Sequence, residues 1–94
     1  MTEWDDVSFV VRNKNRRKVF DQLDKPKTPT DLSKELELNI GFISNILIEL
    51  QERKLIECLT PNEKRNRYYR ISAKGKKIKA KIEKELPKRI LIKF

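Results

Sequence analysis

"LELNIGFISNILIELQERKLI", residues 36–56, is the stretch on which the fold turns. Ile40, Ile43, Leu47 and Leu50 recur at i, i+3, i+7 and i+10, the spacing that lines apolar side chains along one face of a helix. Asn39 stands where a helix cap belongs, since its side-chain oxygen can accept from the unpaired N–H groups of the first turn. The opposite edge carries Gly41, Ser44, Asn45 and Ile48, which are short or apolar where a purely solvated face would carry long charged side chains. Arg53 and Lys54 mark the helix end, and the period changes to that of a strand from Leu55 to Leu59.

Upstream, Trp4, Val7, Val10 and Val11, then Val19, Phe20 and Leu23, recur at helical spacing. "NKNRRK" between them predicts either one helix with a solvated middle turn or two short ones. "DKPKTP" breaks the pattern, and Thr28-Pro29-Thr30-Asp31 opens a short helix: Thr28 caps, Pro29 suits the first turn, and Asp31 occupies the capping-box position. Leu32 and Leu36 form its apolar face. Downstream, "TPNEKRNR" is a basic turn-rich loop and "YYRIS" a second strand, which predicts a hairpin with Lys64, Arg65 and Arg67 at its tip. Asn66 suits the positive-φ turn position, and Tyr68 and Tyr69 alternate sides, one toward the core. Ser72 caps a last helix with Ile71, Gly75, Ile78, Ile82 and Leu86 as a narrow seam, where Gly75 permits close packing. Pro87 is expected to end that helix, leaving the β-prone tail "KRILIKF".

The fold class expected is mainly α with a small β-hairpin, in the order α-α-α-β-β-α. It forms one domain over 1–94, with a helix-turn-helix at about 29–54, a wing at about 55–71, and a C-terminal helix and tail at about 72–94. Apolar residues make up 37% of the chain and charged ones 39%, so the core is small and the surface heavily charged. No apolar run approaches a membrane span, and the N-terminus lacks the layout of a signal peptide, which points to a cytoplasmic protein. A single cysteine, Cys58, excludes an internal disulfide and a multi-cysteine metal site, and it is expected as a small buried apolar residue. Without histidine, a carboxylate pair or a phosphate-binding glycine loop, no enzyme and no cofactor are expected.

Charge is unevenly distributed. Residues 1–63 hold ten basic and twelve acidic side chains, whereas 64–94 hold thirteen basic ones against Glu83 and Glu85. The back third therefore carries more than the whole net charge of +9, which suits a polyanion. A second basic patch, Arg12, Lys14, Arg16, Arg17 and Lys18, reads as a solvated face. So do several of Lys74, Lys76, Lys77, Lys79 and Lys81, which surround the last helix.

"TPTDLSKELELN", "ISNILIELQERKLIE" and "YYRISAKGKK", in that order and spacing, resemble the winged helix-turn-helix transcriptional regulators of the ArsR and MarR type, especially archaeal members. The resemblance spans about 16–77. It implies a homodimer on duplex DNA, with the second helix in the major groove and the wing on the flanking backbone or minor groove. Lys54 stands where the family usually has glycine, so a lysine is expected in the left-handed conformation, at about 1 kcal/mol or less. The cysteine motif of metal-sensing members is missing, as are the long helices of a MarR-type ligand pocket. Neither a metal nor a small-molecule effector is expected.

The DNA-facing set expected is Thr30, Asn39, Gly41, Phe42, Ser44, Asn45, Ile48, Lys64, Arg65 and Arg67. Asn45 suits adenine, Ser44 base or phosphate, and the basic trio phosphate or a narrow minor groove. Gly41 permits close approach of a phosphate or a crossing helix. Phe42 and Ile48 lie nearer the exposed side, within reach of thymine methyls, with Phe42 expected to complete the core in part. Trp4 and the tail residues Ile90, Leu91, Ile92 and Phe94 are too apolar to leave in water, so they either close over the core or form a dimer interface; the interface is the reading adopted, with the tail as an added strand and Ile78, Ile82 and Leu86 contributing. The function expected is sequence-dependent transcriptional regulation by a nucleoid-associated protein. The alternatives are a chromatin or architectural protein of low sequence specificity and a winged-helix protein-interaction module.

Overall fold

Asn13 settles the first ambiguity. Its side chain accepts from the backbone N–H of Asn15 and Arg16 at 3.0 and 3.1 Å, so the amino-terminal segment is two helices. In the computed structural model these are α1 (Glu3–Val11) and α2 (Lys14–Gln22), followed by α3 (Pro29–Leu36), α4 (Ile40–Glu52), β1 (Ile56–Cys58), β2 (Tyr69–Ile71) and α5 (Ala73–Lys93). The structure describes residues 3–64 and 67–93, with side chains from 4 to 64 and from 67 to 84.

The capping box at α3 forms as its residue types require. Thr28 Oγ1 accepts from the Asp31 N–H at 3.1 Å, and an Asp31 carboxylate oxygen accepts from the Thr28 N–H at 3.2 Å. Glu37 then turns into the left-handed region (φ 56°) and lets α4 begin three residues later. At the other end of α4, Lys54 takes φ 63° as expected. The N–H groups of Lys54 and Leu55 donate to Gln51 and Leu50 carbonyls at 2.9 and 3.0 Å, a Schellman closure built without glycine.

The core stripe of α4 is Ile43, Ile46, Leu47 and Leu50, all at most 2% exposed, not the expected row that began at Ile40. Ile40 is 48% exposed because it opens the helix beyond the edge of the core. Ile46 replaces it, since the packed surface is an arc of three successive rows. These side chains join Val10, Val19, Phe20, Leu23, Leu32 and Leu55 in one cluster.

β1 and β2 pair antiparallel, with Ile56 opposite Ile71 and Cys58 opposite Tyr69. Tyr69 packs against the core while Tyr68 is exposed, and Cys58 is half-buried rather than buried. The α2–α3 connection adds an unexpected third rung: Lys27 and Tyr69 exchange both backbone hydrogen bonds at 2.8 and 3.0 Å. Gly75 fits against Leu55 so tightly that a Cβ there would lie 2.0 Å from the Leu55 carbonyl oxygen.

α5 runs through Pro87 to Lys93, so the proline does not end the helix and the tail is not an added strand. Proline removes one backbone bond at a cost of about 3 kcal/mol, yet Glu85, Leu86, Lys88 and Arg89 around it all favour helix. Ile78 and Ile82 are each 1% exposed within the protomer's own core, so these two of the expected interface residues are already covered. The side chains of Leu86, Ile90, Leu91 and Ile92 lie outside the described set, as does Phe94 altogether. No helix among the described residues is long and apolar enough to cross a membrane.

Candidate nucleic-acid interface

α4 is held at both ends. At its start, Asn39 Oδ1 accepts from the Gly41 N–H at 2.8 Å, and Ser33 Oγ donates to the Leu38 carbonyl at 2.5 Å, fixing the turn from α3. At its end, Arg53 donates to buried Asp6 at 3.2 Å, Lys74 Nζ donates to the Arg53 carbonyl at 3.0 Å, and Ser72 Oγ donates to the Lys54 carbonyl at 2.7 Å. Helices α1 and α5 thus fix the angle at which α4 leaves the body.

With Ile43, Ile46, Leu47 and Leu50 inward, the side of α4 facing away from the core presents Gly41, Asn45, Ile48 and Glu52 in one line. Ser44 flanks it half-buried. Phe42, expected partly in the core, is 41% exposed, and Ile48 is 55% exposed. Among the described residues, a Cβ at Gly41 would meet Asn39 Oδ1 at 3.1 Å and no helix of the protomer crosses there. Thr30 is exposed on the first turn of α3, and Asn39 is exposed with its oxygen committed to the cap. Ile40, taken from sequence for core, joins this surface. The signal that distinguishes it is its place as the first residue of the helix, directly after the Asn39 cap.

The hairpin loop is tied at its base. Leu59 donates to the Tyr68 carbonyl at 2.7 Å, and the Tyr68 N–H donates to Thr60 Oγ1 at 3.0 Å. Arg67 Nε donates to the Glu63 carbonyl at 2.6 Å, leaving both Nη atoms without a partner among the described residues. Lys64 is exposed, and Arg65 and Asn66 lie outside the described residues. Arg70, one strand position on, is committed to Glu57 at 2.9 Å directly across the ladder. Arg67 and Lys64 are therefore the described cations of this loop with charge to offer.

The second basic patch divides. Arg12, Lys14 and Lys18 are exposed, but the Arg16 side chain is 12% exposed, donating to the Phe9 carbonyl at 2.6 Å and pairing with Glu49 at 3.0 Å. Its guanidinium and that of Arg53 lie over the Phe9 ring at 3.8 and 3.9 Å. Trp4, 52% exposed, carries Lys81 over its ring at 4.9 Å. Among the described residues, no group of three His, Cys, Asp or Glu side chains is placed to hold a metal ion.

A helix pair joined by a three-residue turn, a hairpin after the second helix and a closing helix define the winged helix-turn-helix fold. Comparison with solved structures agrees: the chain is similar to a MarR family transcription regulator, with a TM-score of 0.72 and 25% identity over 85% of this chain. The chain spans 55% of that protein's length. No family model and no curated protein matches it.

Proposed function

We propose that the chain is a DNA-binding transcriptional regulator that places α4 in the major groove and its hairpin along the flanking backbone or adjacent minor groove. The observation that carries this is the exposed Gly41–Asn45–Ile48 edge of α4, followed in the chain by a hairpin whose Lys64 and Arg67 hold uncommitted cationic nitrogens. The likeness to a MarR family transcription regulator supports the same reading. Thr30, Asn39, Phe42, Ser44 and Arg65 complete the contact set, with Asn39 contributing through its amide nitrogen.

The active form is a homodimer, joined through Trp4 and the carboxy-terminal half of α5, working in the cytoplasm on the nucleoid without metal or cofactor. Two copies place two α4 helices on successive turns of one duplex, the geometry that gives such proteins palindromic sites. Low-specificity coating of DNA is favoured by a single fact, that α4 contains no Arg or Lys. Selection of bound duplexes from a random pool, with oligomer mass measured in parallel, decides between them. A regulator enriches a two-fold motif and runs as a dimer; uniform recovery of the pool supports a coating protein; no recovery of duplex rejects both.

A further inference from the structure

Resting on the DNA-binding reading, we propose that the Asn45–Ile48 edge of α4 recognises thymine-methyl-bearing A·T pairs in the major groove. Direct recognition of guanine in that groove depends chiefly on Arg or Lys reaching O6 and N7, and the thirteen residues of α4 include neither. What α4 does present is an amide and a branched alkyl group one turn apart on its outermost line, with Ile48 55% exposed. These are the two chemistries an A·T pair displays in the major groove: adenine N7 and N6–H2, which an Asn side chain satisfies as donor and acceptor, and the thymine C5-methyl, which an alkyl group covers.

Gly41 on the same line adds no side chain, and the nearest atom a Cβ would meet there belongs to Asn39, so base edges can approach the helix closely. The acidic side chains of α4 do not compete at this end. Glu49 is paired with Arg16 at 3.0 Å, and Glu52 lies in the last turn, away from the half of the helix that enters a groove. The neighbouring cations of the hairpin favour a polyanion as the occupant of this edge.

The test compares four synthetic duplexes of about two helical turns: one with only A·T pairs, its counterpart with deoxyuridine for every thymidine, one with only G·C pairs, and its counterpart with 5-methylcytosine. Replacing thymidine by deoxyuridine removes the methyl and leaves the minor groove and the phosphates unchanged. The parent protein is expected to lose about fourfold in affinity per contacted methyl, or about 15-fold for the two half-sites of a dimer. It is expected to regain affinity on the G·C duplex when cytosine is methylated. Ile48→Ala, on an exposed position that leaves the fold intact by circular dichroism, is expected to bind the thymidine and deoxyuridine duplexes equally. Equal binding of those two duplexes by the parent overturns the proposal, the result expected if the edge serves a protein, and so does discrimination that survives Ile48→Ala. Failure of the parent to bind any of the four overturns the DNA-binding reading itself and this inference with it.

Discussion

Arg53 at the end of α4 donates from Nη1 to Oδ1 of Asp6 on α1 at 3.2 Å, across 47 positions of sequence. The other Asp6 oxygen takes Lys74 of α5 at 3.3 Å, so one carboxylate, 4% exposed, holds three helices together. A buried carboxylate is tolerated only with partners, whereas Arg53 and Lys74 are exposed enough to re-enter water when it is removed. Asp6→Ala is therefore expected to cost about 1–3 kcal/mol in chemical denaturation. A double-mutant cycle with Arg53→Met should give a coupling of about 1 kcal/mol. Additive effects contradict this role.

Gly75→Ala is the sharper test of packing. The new methyl would lie 2.0 Å from the Leu55 carbonyl oxygen and 2.7 Å from Ile71 Cγ1, and the first of these is backbone. The start of α5 must move away from the hairpin, for a loss of roughly 3 kcal/mol by thermal or chemical melting. A stabilised Gly75→Ala, the ordinary result of placing alanine in a helix, rules this packing out.

Asp21, in the last turn of α2, supplies a pH dependence. Burial raises its carboxyl pKa; Arg17, 3.8 Å away, and Lys79 pull it back, and Glu83 and Asp24 push it up again. A folded-state pKa above the unfolded value means that the folded chain holds the proton more tightly. The stabilisation is then complete below the unfolded pKa, about 3.9 for Asp, and is lost as pH rises through the folded pKa. Asp21→Asn should melt above the parent at pH 7, with the gap closing as pH falls toward 4. A gap that widens on acidification carries the opposite sign and refutes the assignment.

Trp4→Ala tests the dimer. Trp4 is the member of the expected interface that is both described and exposed, and it removes little from the protomer's core when truncated. The variant is expected to keep its helical circular dichroism, to halve in mass at low micromolar concentration and to bind duplex more weakly. Unchanged mass in the variant, or a monomeric parent, contradicts the proposed assembly.

Local chemistry made much of the fold readable in the sequence. Thr28, Pro29 and Asp31, Asn39 and Ser72 each cap or begin a helix through atoms within three residues of themselves, whereas the left-handed Lys54 was expected only from the resemblance, at a position where the family usually has glycine. What escaped depends on partners far along the chain. Arg16 looks like one cation in "NKNRRK" until Phe9 and Glu49 are folded against it. The Lys27–Tyr69 rung joins a proline-containing connection to a strand with no local signal for either. Ile40 obeys the helical period of the core row, but as the first residue of α4 it is 48% exposed while Ile43, three residues on, is buried. At the candidate interface, α4 and the hairpin were apparent from order and spacing; which hairpin arginine is committed to a neighbour was not, because Glu57 meets Arg70 through the strand register.

The central claim is that the hairpin grips phosphate while α4 reads, and the salt dependence of duplex binding measures it directly. With about four phosphates neutralised per protomer, log K against log salt should fall with a slope near −7 for a dimer. Lys64→Ala with Arg67→Ala should make that slope shallower by about 2 per protomer, while Ile48→Ala leaves it unchanged. A parent slope shallower than about −2, or one that the hairpin substitutions do not alter, contradicts the account.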